Sequence, residues 1–188
     1  MTKGSRKPAP GSFGEVVRLA KNNIERFSLF DTKENPLAWM LGWMDTESSL
    51  NQYAIRYESK YRWLYPPDNK PQQGTTEWYA QKTSWGILQI MGAVARERGF
   101  DAKYLSELCD LRINIKLASE YLSELRGRSD GSWNGGLAAY NGGLRGNRKP
   151  PFRRQEYVDK VERRSKKYET LRQTKALSLP ADRHVGRG

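Results

Sequence analysis

The chain has 188 residues and a net charge of +12, with 11% aromatic residues and six Trp. That length suits one domain with a real core, and the aromatic content excludes a wholly disordered chain. One His and one Cys are too few soft ligands for a zinc site, so no metal and no cofactor is expected, and Cys109 has no partner for an internal disulfide.

Residues 1–12 carry Lys, Arg, Pro and Gly without periodicity and read as a flexible basic arm. No apolar run follows the basic residues, so no secretory signal is expected and the product is expected to be made in a cytoplasm. Residues 13–35 hold a first helix, over 13–30, and a connection; Val17, Ala20, Ile24 and Phe27 share one side of that helix. Pro36 behind Asn35 marks the start of the next helix, which runs through Glu47–Ser48. Its run Leu37–Met44 is the longest apolar stretch, far too short to span a bilayer.

Residues 52–85 are irregular, broken by Pro66, Pro67, Pro71 and Gly74, with room for a short hairpin. Their aromatic residues are expected mostly to fill a second small core, while Trp63 and Trp78 are candidates for stacking on a bound ligand. The spacing of Ile87, Ile90, Met91 and Val94 predicts a helix over 86–98 that stops at Gly99. Asp110 caps a longer helix with Leu111, Ile115, Ala118, Leu122 and Leu125 inward. Ser132 or Asp130 caps another, with Trp133, Leu137 and Tyr140 on one face and Gly142–Gly143 at its end. Residues 153–173 form a last, highly charged helix, and the chain from Lys175 reads as a tail. The class is mainly α, or α with a small β element, with five to seven helices.

The charge is uneven. Residues 145–188 hold 14 Lys/Arg and 5 Asp/Glu, a net of +9, which would favour a polyanion or simply form a solvated basic face. The Lys/Arg are not interleaved with aromatics in a recognisable motif, so no specific nucleic acid is expected.

One residue conflicts with its surroundings. Leu37, Met40, Leu41 and Met44 form an inward stripe, and Glu47 extends it by one further step of three. An inward-facing carboxyl is partly desolvated, and a helix C-terminus disfavours negative charge. Both raise its pKa, which suits a general acid near neutral pH. Asp45, about 200° around the helix, cannot share the site. The simpler alternative is a Glu that bends back to solvent.

Four segments in order then carry a resemblance: "ES" at 47–48, "GILQIM" at 86–91, "AAYNGG" at 138–143 and "EYV" at 156–158. Together they resemble the catalytic domain of soluble lytic transglycosylases, of goose-type lysozyme-like fold, over roughly residues 36–165. Residues 166–188 are then a basic helix end and tail. The likeness departs from the family pattern at Leu50, Gln52, Leu88 and Gly92, and the stretch between Ser48 and Gly86 is longer than usual.

The resemblance implies an α+β lysozyme-like fold whose helices surround a glycan cleft. It implies that Glu47 is the sole catalytic acid/base, that Ser48, Gln89 and Tyr140 line the sugar site, that Asn141 supports it and that Tyr157 is a late active-site tyrosine. It further implies cleavage of the MurNAc–GlcNAc bond of peptidoglycan strands, leaving a 1,6-anhydro end. With no export signal expected, a phage origin is inferred, either within the virion for local wall degradation, beside tail or other virion proteins, or released at lysis, acting on the periplasmic wall. The alternatives are a phage endolysin or hydrolytic lysozyme of the same fold and, in another class, a basic nucleic-acid-binding or structural virion protein.

Overall fold

The computed structural model describes residues 11–169. The expected basic arm, save its last two residues, the end of the last helix and the tail lie outside the described residues. The fold is mainly α with a small antiparallel sheet, as the sequence predicts.

Helix α1 (Phe13–Phe27) opens at Ser12, whose hydroxyl accepts from the Glu15 N–H at 3.2 Å. It ends three residues earlier than expected. Ser28 and Phe30 take left-handed backbone, and the reversal turns Phe30 fully into the core against Trp39, Trp43 and Trp133.

Helix α2 (Pro36–Ser48) starts as predicted, with Asn35 Oδ1 accepting from Ala38 N at 3.2 Å. Its burial is not one stripe. Every residue from Ala38 to Asp45 is buried, so α2 is the central helix, enclosed on all sides. Its closest neighbour is α7 (Gln155–Glu169), which buries Val158, Val161, Ser165 and Tyr168 on one face. The two backbones touch at Gly42, where a Cβ would stand 2.5 Å from Ser165 N. Only glycine admits that approach. Helices α5 (Leu111–Arg128) and α6 (Trp133–Gly142) complete the main core, capped by Asp110 and Ser132 as expected.

The segment 52–98 differs most from expectation. Strands β1 (Ile55–Tyr57), β2 (Thr83–Trp85) and β3 (Ile90–Met91) form an antiparallel sheet in that order, with Arg56 opposite Ser84 and Trp85 opposite Ile90. β1 and β2 pair as the hairpin strands expected there, but through residues 58–82, which carry the unexpected helix α3 (Thr76–Gln81). The predicted helix over 86–98 is a turn, then β3, then the short helix α4 (Gly92–Glu97). Gly86 and Gln89 have φ of 74° and 49°, values an α-helix cannot hold. Ile87, Ile90 and Val94 are buried as predicted, by a turn, a strand and a helix in succession rather than one helix.

The aromatics of the insertion are also a correction. Tyr53, Tyr57, Trp63, Tyr65 and Tyr79 are exposed and Tyr61, Trp78 and Trp85 are half-buried. They pack on one another, as in Tyr61–Trp63, Tyr57–Tyr79 and Trp78–Tyr79, instead of filling a core. The second core is built instead by Ile90, Val94, Ala95, Leu105, Leu108 and Leu117, with Trp85 at its margin.

Candidate active site

The end of α2 brings Glu47 to a place where three other segments meet: the 86–89 turn, the end of α6 and the first turn of α7. The turn is the floor. Ser48 Oγ donates to Ile87 O at 2.7 Å, and Tyr140 Oη donates to Leu88 O at 2.8 Å. Asn114, fully buried on α5, accepts from Leu88 N at 2.9 Å and donates to Trp85 O and Leu108 O, both at 2.8 Å. Gly86 lies against that amide; a Cβ there would stand 2.3 Å from Asn114 Nδ2, and its φ is left-handed as well.

Gln89 is buried within the turn. Its amide donates to Ala54 O and Gly86 O, both at 2.9 Å, and accepts from Ser84 Oγ at 2.9 Å. Both amide hydrogens are thereby committed to the chain itself. Ser48, Gln89 and Tyr140 thus hold the floor rigid, and each reaches the site with its polar group already engaged. Asn141, one residue past Tyr140, is exposed.

Glu47 is half-buried, with its carboxyl drawn inward among Trp43, Tyr140 and Tyr157. Burial pushes its pKa from 4.5 to about 7. Opposing this are a hydrogen bond donated by Tyr157 Oη to Glu47 Oε1 and the charges of Arg56 and Lys160. Arg56 is itself paired with Glu58 at 2.6 Å. The fully buried Trp43 indole packs edge-on against Tyr140, centroids 4.9 Å apart. Its N–H lies near enough to Glu47 and Tyr157 to favour their charged forms, yet makes no properly aligned hydrogen bond within the described residues. Burial and the Glu47 carboxylate together raise the phenols of Tyr140 and Tyr157 well above their ordinary range, so both are neutral donors.

Asp45 is turned away, as its helical angle predicts. Burial works against its charge, but hydrogen bonds from Arg164 (2.8 Å) and Tyr168 (3.0 Å) and the nearby Lys167 (3.4 Å) hold its carboxyl below the usual range. This cluster ties α2 to α7 beside the Gly42–Ser165 contact. The placement of Tyr157 against Glu47 therefore follows from how closely those two helices pack.

Trp63 and Trp78 are both accessible in the insertion, Trp63 strongly so at 73% exposure, and Lys82 Nζ sits 4.3 Å over the Trp78 ring. Neither touches Glu47. Sequence reasoning missed Trp43, Arg56, Lys160 and Asn114. Trp43 precedes Glu47 by one helical turn, and Lys160 follows Tyr157 by three residues, so helical spacing could have found both. Arg56 and Asn114 reach the site through tertiary pairing, for which the chain carries no local signal. Among the described residues no group of three or more His, Cys, Asp or Glu could hold a metal ion.

The arrangement is one half-buried carboxyl with a pKa of about 7, set among neutral phenols and an indole with cations at a distance. It can deliver a proton to a leaving oxygen and, once ionised, accept one. The Transglycosylase SLT domain family model matches residues 30–162 of the chain. No curated protein matches it.

Proposed function

The chain belongs to the transglycosylase SLT family, whose members are lytic transglycosylases acting on peptidoglycan, and from that premise we propose that Glu47 serves as both acid and base in the reaction. The observation that carries the proposal is a single inward-drawn carboxyl set among phenols and an indole, with the neighbouring acid Asp45 committed to α7; burial there pushes the Glu47 pKa to about 7. Such a group keeps a large protonated fraction near pH 7 for the first half of the reaction, and once ionised it is a stronger base than an ordinary carboxylate for the second.

The reaction proceeds as follows. Glu47 gives its proton to the oxygen leaving C1 of the muramic acid residue as the C1–O4 bond breaks. The substrate's N-acetyl oxygen stabilises the cationic carbon, the role a second carboxylate plays in most glycosidases. The Glu47 carboxylate, held by the Tyr157 hydroxyl, then takes the proton of the C6 hydroxyl, and O6 bonds to C1. The proton returns to Glu47, no water is consumed, and the strand ends in 1,6-anhydro-MurNAc. Tyr157 orients the carboxylate and offsets part of the cost of ionising it. Ser48, Gln89 and Tyr140 fix the floor, Asn141 flanks it, and Trp63 and Trp78 offer ring faces to more distant sugars.

Cleavage in heavy-oxygen water tests the outcome. A transglycosylase leaves no solvent oxygen at the new MurNAc end; incorporation of label would make the reaction hydrolytic. For the setting, we propose a phage virion enzyme that degrades wall locally at infection, its basic charge helping it hold the anionic wall. Immunodetection in purified particles tests this, and presence only in the lysate would make it a lysis enzyme.

A further inference from the structure

The loop 143–154 joins α6 to α7 and carries Arg145, Arg148, Lys149, Arg153 and Arg154 without an acidic residue. Elsewhere Arg56, Arg96, Arg98, Arg126, Arg128 and Arg164 each pair with a carboxylate. Within the described residues the five loop cations have no such pair.

The loop is nonetheless firmly built. Asn147 is fully buried; its Nδ2 donates to Gly143 O at 2.7 Å and its Oδ1 accepts from Arg154 N at 2.9 Å. Phe152 is buried in the main core. The Arg153 guanidinium donates to Gly142 O at 2.9 Å, and the Arg154 stem lies against Gly142. Arg145, Arg148 and Lys149 remain exposed, and with Leu144, Pro150 and Pro151 they line a concavity of about 550 Å³. Holding three like charges around one hollow on an ordered loop is electrostatically unfavourable until an anion enters.

Position decides which anion. The loop leaves α6 just after Tyr140, whose hydroxyl holds the Leu88 carbonyl, and enters α7 just before Tyr157, which holds Glu47. Both its ends are therefore anchored at the candidate active site. If Glu47 cuts at muramic acid, as proposed above, the sugar at the site carries a lactyl group bearing a peptide with free carboxylates. An anion covalently attached to the substrate beside the cut fits this placement better than a separate polymer. We propose that the 143–154 loop binds the carboxylates of that peptide, so that peptide-bearing strands are preferred over bare glycan.

Binding tests this without turnover. The full chain carrying Glu47→Gln is titrated with soluble peptide-bearing glycan strands and with the same strands stripped by an amidase. A second protein adds Arg145→Gln, Arg148→Gln and Lys149→Gln and keeps the Asn147 and Phe152 anchors. Exposed charge pairs are individually weak, so three together should give a preference of about tenfold for peptide-bearing strands. The loop substitutions should abolish that preference and leave stripped-strand binding unchanged. Equal binding of both strands, or a preference that survives the substitutions, overturns the proposal. So does loop-dependent binding of polyphosphate tighter than that of the strands, which would mark a general phosphate-polymer site. Cleavage of stripped strands by the native chain is read separately, so a failure of the Glu47 chemistry and a failure of the loop are told apart.

Discussion

Glu47→Gln should stabilise the protein, and only above a defined pH. The folded carboxyl has a pKa of about 7 against an ordinary 4.5, because burial disfavours its charge. Below pH 4.5 it is neutral in both folded and unfolded chains and costs nothing. Between 4.5 and 7 the unfolded chain gives up the proton and the folded chain keeps it, so stability falls as pH rises. The loss is complete once pH passes the folded value. Two and a half pH units at about 1.4 kcal/mol each amount to about 3 kcal/mol. The Gln amide stays neutral throughout, and its oxygen can still accept from Tyr157. The variant should therefore match the native protein at about pH 4 and exceed it by about 3 kcal/mol at about pH 8, a Tm difference on the order of 10 °C for a chain of this size. Thermal unfolding followed by circular dichroism at the two pH values measures it. The two phenols coupled to Glu47 stay neutral in both proteins between about pH 4 and 8, so the change in the difference isolates Glu47. The same Tm difference at both pH values would refute a carboxyl held neutral by burial.

Activity should follow the same titration, falling as pH rises past about 7 because the acid form is lost. Tyr157→Phe removes a hydrogen bond that favours the charged carboxylate, so it should move that alkaline limb upward while lowering turnover about tenfold to a hundredfold through lost positioning; an unmoved limb would contradict the coupling. Gly42→Ala would add about 1 kcal/mol at an exposed helix position, but here the new methyl meets Ser165 backbone. A net loss of about 1–2 kcal/mol and reduced turnover are expected from denaturant unfolding and rate assays. Trp63→Ala should leave Tm unchanged, since the ring is exposed, yet weaken the tryptophan fluorescence response to chitooligosaccharide; an unchanged response would exclude Trp63 from glycan contact.

The helices that build the main core were legible because their ends carry chemistry: Asn35 before Pro36, Asp110 before Leu111, Ser132 before Trp133. Each is a residue whose side chain accepts from the first turn, and each does so. The 86–98 segment is not legible as a turn and strand because Ile87, Ile90, Met91 and Val94 fall at helical spacing, while the backbone is decided by Asn114, Ser48 and Tyr140 holding the turn from other elements. Gly86 was the local hint of a left-handed turn. Glu47 was legible as a carboxylate that extends an apolar stripe. Tyr157 was reachable only by resemblance, since nothing local in 153–169 distinguishes it from a core aromatic; its place depends on the close crossing of α2 and α7 at Gly42. The exposure of the insertion's aromatics is not legible in the sequence because composition records how much apolar surface exists and not where it ends up.

If one carboxyl, Glu47, carries both proton transfers, mass spectrometry of purified peptidoglycan digested by the native protein and by Glu47→Gln will show it. Anhydro-ended muropeptides are expected from the native protein and none above a few per cent from the variant, whose fold persists. Anhydro products from Glu47→Gln at a comparable rate, or reducing ends from the native protein, would contradict it.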